Sequence, residues 1–437
     1  MTVNKGDSMN FQVNADEFKE AIIPAVEVAT RNALKEFPYE NRLTIKVKDD
    51  KVIIFAYSGI ASMISPVPGS NFGSLDYKCT EEGQTTVYAD EFLQAFTSLP
   101  PGERVEVALK KGELVVTPLS SKDLKRSMFI FEEVVQPPNL GKESSQEIKI
   151  NREIFVKGLN SVMFAPAFEE KYHSYMCVLF ETGGTKGKQN VRFSAGTGGR
   201  FAVKSIDGKN ILNTAKMTKF IFPKTNLESI QKVLSGASCS EITMKTIDAD
   251  ASQHIPDQIM IEFDGMVMCL FGLEYFTKYP DLTKIINHKY SNRIYSNLKD
   301  WRIAVGGVDM TWLHHGEDVH NTEVVFESEK ERFMVKPEAT HGCPTPIDIV
   351  DNQDCIVKGD KIWFRCNSEY LKEMVSHGSR EGKIQFNFES QSILEEESDP
   401  GNKPKQMRPV LVKFPEVVDG IKEIKENFHM FFTVSSK

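Results

Sequence analysis

Residues 219–236 read KFIFPKTNLESIQKVLSG and contain the signals of a strand, a helix and a stop. The first letters alternate aromatic and other residues as a strand does, and Pro223 ends that strand because proline has no backbone N–H to donate. Thr225 and Glu228 have the Thr-x-x-Glu spacing of a capping box, and the apolar residues around them recur at helical spacing. Gly236 is expected to take the left-handed position that follows a helix. The stretch predicts a strand followed by a helix of about three turns.

Two other stretches repeat this strand-plus-helix unit. They are residues 86–100, TVYADEFLQAFTSLP, and residues 361–378, KIWFRCNSEYLKEMVSHG. The apolar anchors Phe92, Leu227 and Leu371 are separated by 135 and 144 residues. A spacing this regular indicates that one structural unit occurs three times.

A second strand-plus-helix unit repeats alongside the first. Its copies are FQVNADEFKEAI at residues 11–22, IKINREIFVKGL at residues 148–159 and IAVGGVDMTWL at residues 303–313. We take Phe18, Phe155 and Met310 as their anchors, with separations of 137 and 155 residues. Each third of the chain then holds two helices among several strands, which predicts an α+β fold built from three similar domains.

The length of the chain and its polar, turn-forming segments indicate the domain boundaries. The chain has 437 residues, which suits about three domains that each bury their own core. The polar run PPNLGKESS at residues 137–145 reads as a linker, and turn formers and basic residues gather near Tyr290. We predict domains at residues 1–143, 144–290 and 291–437.

Composition excludes several classes of protein. No apolar run approaches the ~18 residues of a membrane span, and the start of the chain lacks a signal peptide's apolar core. Seven cysteines without a C-x-x-C pair predict reduced, mostly buried thiols and a cytoplasmic protein. A net charge of −8 argues against a surface that binds nucleic acid all over, although a local basic track remains compatible with it.

No motif for catalysis, a metal or a cofactor stands out. The glycine-rich residues 196–199 lack the spacing of a phosphate loop, and a strand follows them where a helix should begin. His314, His315 and His320 lack the spacing of a zinc site and read as a surface cluster. An enzyme whose site is assembled from residues distant in sequence stays open as one alternative.

Four motifs in order resemble the bacterial DNA polymerase III beta sliding clamp family over nearly the whole chain. They are LPPGERVEVAL at residues 99–109, FSAGTGGRFAVKS at 193–205, YPDLTKII at 279–286 and RCNSEYLKEM at 365–374. The second resembles the family's Ala-Thr-Asp-Gly-His-Arg-Leu-Ala segment, with Thr197 and Gly199 in place of its acid and histidine. Each motif falls at the matching place in the threefold repeat.

This resemblance implies a fold and a function. The fold is the three-domain DNA clamp, with two helices packed on antiparallel sheets in each domain and two chains closed head to tail into a homodimeric ring. The function is to encircle duplex DNA and tether the replicative polymerase as a processivity factor, without catalysis. Partners of such a ring are DNA of any sequence and the polymerase, clamp loader and repair proteins, which bind through short linear motifs.

The resemblance also implies two sets of site residues. Those expected to contact DNA are Arg31, Lys171, Tyr172, Lys224 and Lys232. Those expected to line a partner-peptide pocket between the second and third domains are Tyr175, Gly198, Arg200, Phe201, Pro280, Lys284, Ile285, Asn367, Tyr370, Pro409, Met430, Phe432 and Thr433. An extended peptide needs a concave apolar wall and a few fixed polar groups, which these residue types provide. Ordinary core packing is the alternative for the apolar members of the pocket.

The sequence departs from the family at three places. The last strand, FHMFFTVSSK, lacks the family's ending, and the acidic and Pro-containing residues 394–406 read as an insertion between two strands. Asp90 and Thr97 stand on the first domain's second helix, where relatives tend to be basic. The departures at Asp90 and Thr97 favour a second alternative, a clamp-fold scaffold that has lost DNA loading. We expect Trp312 and Leu313 to lie in the core or at the dimer contact.

Overall fold

The computed structural model describes most of the chain in separate ranges. They are residues 8–30, 41–49, 51–59, 61–67, 78–121, 123–134, 144–167, 176–185, 188–197, 200–207, 218–247, 258–271, 279, 282, 286–315, 321–337, 344–349, 355–357, 363–377, 382–388, 408–414 and 428–434. Residues 394–406 lie outside these ranges.

Six α-helices occur in the described residues. They are α1 (Ala15–Thr30), α2 (Ala89–Thr97), α3 (Arg152–Asn160), α4 (Lys224–Gly236), α5 (Leu298–His315) and α6 (Ser368–His377). In these ranges no helix is both long and apolar enough to span a bilayer.

Strands make up most of the rest. The first nine are β1 (Met9–Asn14), β2 (Arg42–Lys48), β3 (Lys51–Tyr57), β4 (Ala61–Val67), β5 (Lys78–Glu81), β6 (Gly83–Tyr88), β7 (Arg104–Lys110), β8 (Glu113–Pro118) and β9 (Arg126–Phe129). The next eight are β10 (Ser144–Asn151), β11 (Cys177–Thr185), β12 (Lys188–Gly196), β13 (Arg200–Asp207), β14 (Thr218–Pro223), β15 (Glu241–Ile247), β16 (Gln258–Phe263) and β17 (Met266–Leu270). The last eight are β18 (Asn292–Asn297), β19 (Asn321–Glu327), β20 (Arg332–Pro337), β21 (Thr345–Asp348), β22 (Trp363–Asn367), β23 (Lys383–Phe388), β24 (Arg408–Lys413) and β25 (Phe428–Val434). The α+β class predicted from the sequence is confirmed.

The chain divides into two compact units. Unit 1 comprises Met1–Asn160, Phe180–Val191 and Asp207–Thr277, and unit 2 comprises Ser161–Leu179, Arg192–Ile206 and Lys278–Lys437. The two boundaries that divide the chain into three domains stay a prediction.

An asparagine stands at the strand-to-helix junction in each third of the chain. Asn14 accepts hydrogen bonds at Oδ1 from the N–H groups of Asp16 (3.0 Å) and Glu17 (3.2 Å). Asn151 accepts one from the N–H of Ile154 (3.1 Å). In the third copy the amide of Asn297 donates to a carboxylate oxygen in the first helical turn. The bonds of Asn14 and Asn151 satisfy backbone N–H groups that a helix start leaves without partners, whereas that of Asn297 joins two side chains.

The first residue of each of these helices makes the same backbone bond. The N–H groups of Ala15, Arg152 and Leu298 donate to the carbonyl oxygens of Glu103, Ser240 and Gly382, all at 2.9 Å. Each acceptor lies just beyond the second helix of its own copy. Three copies of one junction show that the repeat holds at the level of single hydrogen bonds.

This junction corrects the third anchor. Residues 303–313 lie wholly within α5, and the preceding strand is β18, which ends at Asn297. The fourth residue after that strand is Trp301, as Phe18 and Phe155 are in their copies. Trp301 replaces Met310 as the anchor, and the separations become 137 and 146 residues. The expected spacing failed because α5 is long and apolar enough to offer a second set of matching residues.

The ends of α4 also differ from expectation. Pro223 occupies the cap position without a side-chain hydrogen bond, and the Thr225 hydroxyl donates to the Asn226 side chain. The helix runs through Gly236 into an extended residue. Its last turn is instead bound by Arg152, which donates to the carbonyl oxygens of Leu234 (2.9 Å) and Cys239 (2.8 Å).

Unit 2 uses an arginine in the same way. Arg302 donates from Nε to the carbonyl oxygen of Val375, at 2.6 Å near the end of α6. A cation there satisfies free carbonyl groups and complements the negative end of the helix dipole. Strands β7 and β8 form a hairpin, with positive φ at Lys111 (52°) and Gly112 (83°) as a two-residue turn requires.

Successive repeats share their sheets in the same way. In unit 1 the strand orders are β5-β1-β7-β8-β9 and β10-β15-β16-β17-β4-β3-β2-β6. The second sheet joins β17 to β4 through antiparallel pairs from Val267 with Ile64 to Leu270 with Ala61. It therefore joins β10, β15, β16 and β17 of the second repeat to β4, β3, β2 and β6 of the first.

Unit 2 repeats the arrangement. There the end of β12 is followed by β13, β25, β24, β23 and β18, and a separate sheet has the order β21-β20-β19-β22. Strand β13 of the second repeat pairs with β25 of the third, from Arg200 with Phe432 to Lys204 with Phe428. In the described part of the chain β9 of the first repeat and β21 of the third correspond to β17 and β4, and each ends a sheet without a strand from another repeat.

Each anchor packs against another aromatic ring of its own unit. Phe18 lies 6.1 Å from Phe92 between ring centroids, and Phe155 lies 5.6 Å from Phe222. Trp301 is fully buried, lies 4.2 Å from Phe386 and donates from its indole N–H to Ser296. The cores are therefore built around the repeated helix anchors.

We predict that Trp301→Ala lowers the free energy of unfolding by about 3–5 kcal/mol, because it leaves a cavity and an unpaired Ser296 hydroxyl. Ile303→Ala is the control on the same helix, since Ile303 is 60% exposed and should change stability by about 0.5 kcal/mol at most. Urea unfolding followed by circular dichroism measures both. Equal midpoints for the two variants would contradict Trp301 as the anchor.

Candidate functional site

Arg200 begins β13 and is held by a tight connection from β12. Its carbonyl oxygen accepts from the N–H of Thr197 at 2.7 Å, and its own N–H donates to the Thr197 hydroxyl at 3.3 Å. These two bonds fix the backbone from which the guanidinium extends. The site in unit 2 is built around this side chain.

The guanidinium of Arg200 lies between a carboxylate and an aromatic ring. Its Nη1 donates to the Glu373 carboxylate, and its Cζ lies 5.0 Å from the centroid of the Tyr370 ring. The Arg200 side chain is 11% exposed and that of Glu373 is 35% exposed. Glu373 and Tyr370 stand three residues apart, on one face of α6. An ion pair and a cation–π contact thus hold one buried charge.

Phe201 is buried next to Arg200. It belongs to an apolar cluster with Val203, Leu282 and Leu411. Gly196 lies directly against the Phe201 ring, and a Cβ at that position would overlap the ring and the Arg200 carbonyl oxygen. Gly196 is required by close approach rather than by a left-handed backbone. The burial of Phe201 agrees with a core role and also places it beside the charged cluster.

Three half-buried residues extend the cluster toward the surface. They are Tyr279, Ile286 and Tyr290. The described residues thus combine an apolar wall with a fixed cation, which are the two elements needed to seat an apolar side chain and orient a peptide backbone.

Asn367 ends β22 and caps the helix that carries Glu373. Its Oδ1 accepts a hydrogen bond from the N–H of Glu369 at 2.8 Å. Because the carbonyl oxygen is used in this way, the amide Nδ2 is the group that can donate to a ligand. Asn367 therefore supports α6 in addition to any contact with a partner.

The C-terminal pocket residues lie on β24 and β25. Pro409 is paired with Thr433, Phe432 with Arg200 and Met430 with Ala202. The register brings the backbones of these residues beside β13, so the structure unites residues from the second and third repeats at Arg200.

Several predicted pocket residues lie outside the described ranges: Tyr175, Gly198, Pro280, Lys284 and Ile285. The same holds for the predicted DNA contacts Arg31, Lys171 and Tyr172 and for His320. The side chains of His314, His315, Trp312 and Leu313 are likewise not described. The roles given to these residues stay predictions.

Lys224 and Lys232 both lie on α4. Lys224 is its first residue, and Lys232 stands two turns later with Nζ 3.8 Å from a carboxylate oxygen of Glu27 on α1. Both members of this pair remain partly exposed, so its energy is about 0–1 kcal/mol. The pair nevertheless places an acid beside a lysine that was expected to contact DNA.

Asp90 has a structural role at the start of α2. Its carboxylate accepts from the Asn41 amide at 2.7 Å, and its N–H donates back to the Asn41 side chain at 3.3 Å. This reciprocal pair explains an acid where a DNA-facing helix would be expected to carry a base. It caps the helix.

The sequence did not reveal two acidic residues and two apolar residues of the site. Glu27 and Glu373 each contact a cation that was predicted, while Leu282 and Leu411 pack on Phe201. The spacing of Tyr370 and Glu373 was a usable signal for a shared helix face. Their pairing with Arg200 was not visible, because the two elements are 173 residues apart in the chain.

Buried thiols occur among the described residues. The free cysteines among them include Cys177 and Cys269, whose pKa is raised to about 12 by burial. Such thiols stay protonated near neutral pH and are poor nucleophiles. No group of three or more metal-ligating side chains lies together in the searched ranges.

Comparisons with known proteins give a likeness in structure only. No family model matches the chain, and no curated protein sequence matches it. The solved DNA polymerase III beta subunit of Thermotoga maritima superposes with a TM-score of 0.74 at 15% identity and covers 98% of this chain and 100% of its own. The beta chain of Streptococcus pneumoniae gives 0.76 at 15% identity with the same coverage. The beta sliding clamp of C. crescentus, solved with polyethylene glycol at a putative tethering region, gives 0.75 at 14% identity, also over 98% and 100%. The clamp fold expected from the four motifs is confirmed.

Proposed function

We propose that this chain, which has the fold of the beta sliding clamps, is itself a DNA sliding clamp. Two copies form a head-to-tail ring around duplex DNA and tether a DNA polymerase as a processivity factor. The chain acts by holding and not by catalysis, and works in the reducing cytoplasm, where its thiols stay free. Its three domains follow the boundaries proposed from the repeat, at residues 143/144 and 290/291.

The pattern of strand succession supports the ring. Between successive repeats, a strand of the later one closes the sheet of the earlier one, as in the β17–β4 and β25–β13 pairs. In the described residues β9 of the first repeat and β21 of the third are the counterparts of β17 and β4, and each ends a sheet made of strands of its own repeat alone. Pairing β9 of one chain with β21 of another completes the pattern and leaves each chain with two such contacts. Unlike surfaces joined in this way form a closed ring when the rotation closes, here for two chains.

Exposed apolar side chains on and before β9 fit this contact. Phe129 is 66% exposed and Leu124 is 59% exposed. An outer strand with exposed apolar residues invites pairing with another chain. The same feature would be a liability in a protein that worked as a monomer.

A topological assay tests the clamp function directly. The clamp loaded on nicked circular DNA should stay bound in high salt and be released when the circle is cut. A ring is retained by linkage, whereas a groove binder is released by salt regardless of DNA ends. Release from intact circles would favour the clamp-fold scaffold instead.

For the ring contact, we predict that Phe129→Ser weakens dimerisation by about 1.5–3 kcal/mol, the value of burying one large apolar side chain. Sedimentation velocity at micromolar concentration should show a shift from dimer toward monomer. Ile356→Ser is the matched control, since Ile356 is also exposed, at 43%, and its backbone pairs with Arg293 on β18 and not with β21. Two unchanged dimers, or a wild type that is monomeric at this concentration, would contradict the contact.

Lys224 and Lys232, with Arg31, Lys171 and Tyr172, are proposed to face the DNA. Contacts to phosphates are independent of sequence and sensitive to salt. Lys232 is shared with Glu27, so part of its charge is already balanced inside the chain. This suits a ring that must slide, because tight phosphate binding would slow it.

We predict that Lys224→Glu with Lys232→Glu lowers duplex affinity and reduces the slope of log affinity against log salt by about two, one for each lysine that no longer neutralises a phosphate. Glu27→Gln should raise affinity because it frees Lys232, while Glu20→Gln on the same helix should change it less. Fluorescence anisotropy of a labelled duplex across a salt series measures all three. An unchanged slope in the double variant would remove α4 from the DNA face.

The pocket around Arg200 is proposed to receive short linear motifs of the polymerase, the clamp loader and repair proteins. Arg200, Phe201, Asn367, Tyr370 and the β24–β25 residues contribute from the described ranges. Tyr175, Gly198, Pro280, Lys284 and Ile285 complete the proposed lining. One apolar anchor in a mostly preformed pocket gives affinities around micromolar.

We predict that a fluorescent peptide of the Gln-Leu-x-Leu-Phe type binds wild-type protein, and that Phe201→Ala costs about 1–3 kcal/mol of binding free energy because the anchor loses its wall. Pro280→Ala should weaken binding as well. Circular dichroism must show an intact fold, since Phe201 also packs in the core. Undiminished binding by both folded variants would overturn the pocket and leave the ring untouched.

A further inference from the structure

The charge of Arg200 is already neutralised by a residue of the same chain. We propose that Glu373 sets the charge selectivity of the pocket: it occupies the guanidinium, so the pocket selects partner segments that bring a neutral acceptor to Arg200 and rejects those that bring a carboxylate. The inference rests on the proposed peptide-binding function and adds the chemical class of ligand that the site takes.

The pair is fixed before any partner arrives. Arg200 extends from a strand whose start is held by two hydrogen bonds to Thr197, and Glu373 extends from the middle of a helix capped by Asn367. The Tyr370 ring lies at 5.0 Å from the guanidinium carbon. Two regular elements and one ring thus limit the freedom of the charged group, and little ordering remains to be done on binding.

Part of the guanidinium is not used by this pair. Nη1 binds Glu373, while Nε is buried and has no acceptor among the described residues. A guanidinium carries five N–H donors in one plane and no acceptor. A main-chain carbonyl or an amide oxygen can satisfy such a donor without adding charge.

A partner segment that brings a carboxylate to Arg200 would bind less favourably. It would share one cation with Glu373, whose carboxylate already touches Nη1. Two like charges a few ångströms apart in a poorly hydrated site repel each other strongly. The acid is therefore disfavoured although the receiving residue is an arginine, which the sequence alone would read as an anion site.

The experiment compares neutral and acidic probes on three proteins. The neutral probe is an amidated, labelled Gln-Leu-x-Leu-Phe peptide. The acidic probes are the same peptide with a free C-terminal carboxylate and versions with Glu at each position in turn. The proteins are wild type, Glu373→Gln and Glu369→Gln. Glu369 stands one turn earlier on the same helix and is exposed, so its change removes the same charge without touching Arg200.

We expect Glu373→Gln to raise the affinity for at least one acidic probe about tenfold relative to the neutral probe, since a charge-assisted bond then replaces repulsion. Glu369→Gln should alter that ratio less than about twofold, as exposed charges do. Equal ratios in all three proteins would overturn the inference while leaving the pocket in place. Binding of no probe to any of the three would reject the proposed pocket itself and the inference with it.

Thermal unfolding without peptide supplies a second readout. Glu373→Gln should lower Tm more than Glu369→Gln, because it leaves a buried guanidinium without its counter-charge. The acidic probe that gains affinity should restore part of that Tm. Equal Tm values for the two variants would show that the pair is not formed in solution and would overturn the inference.

Discussion

Backbone hydrogen bonding at the outer strands of the sheets is the constraint on which this structure depends. A strand with one unsatisfied side must be paired, covered or exposed to water, and a sheet protein has to resolve this for every edge. Here a strand of the next repeat pairs with the outer strand of the repeat before it, as β17 does with β4 and β25 with β13. Among the described strands, β9 of the first repeat and β21 of the third have no strand of another repeat beside them. They are the edges that the proposed ring contact would pair.

At the level of single residues, a small set of local contacts makes the repeat tolerant of sequence change. An asparagine at the strand end, a buried ring four residues later and an arginine on carbonyl oxygens at the end of the paired helix recur in different combinations. Caps of this kind contribute about 1 kcal/mol each, and a buried aromatic contributes more. Most of the surface is then free to vary. This is how a chain only 15% identical to a solved beta subunit reaches a TM-score of 0.74 over 98% of its length.

The sequence revealed the fold where local and repeated signals agreed. The hairpin at Lys111 and Gly112, the α+β class and the threefold repeat were all readable, since turn chemistry and apolar periodicity act over short distances. The anchor of the third copy was misplaced at Met310 because a long apolar helix matches a helical pattern at several offsets. The capping box at Thr225 failed because a strand ending in proline already fixed the helix start. Arg200 and Phe201 could be singled out by their motif, but Glu373 could not, because no local rule connects a strand and a helix 173 residues apart.

The two acidic residues that the sequence-based prediction did not include share a physical role. Glu27 beside Lys232 and Glu373 beside Arg200 each balance a cation placed where a ligand is proposed to bind. In the partly exposed pair the balance is weak and reduces attraction for any polyanion by a modest amount. In the buried pair the balance is stronger, because the Arg200 side chain is only 11% exposed and depends more on its counter-charge. In both pairs the acid is distant in sequence from its cation, so the charge of such a site cannot be read from its cations alone.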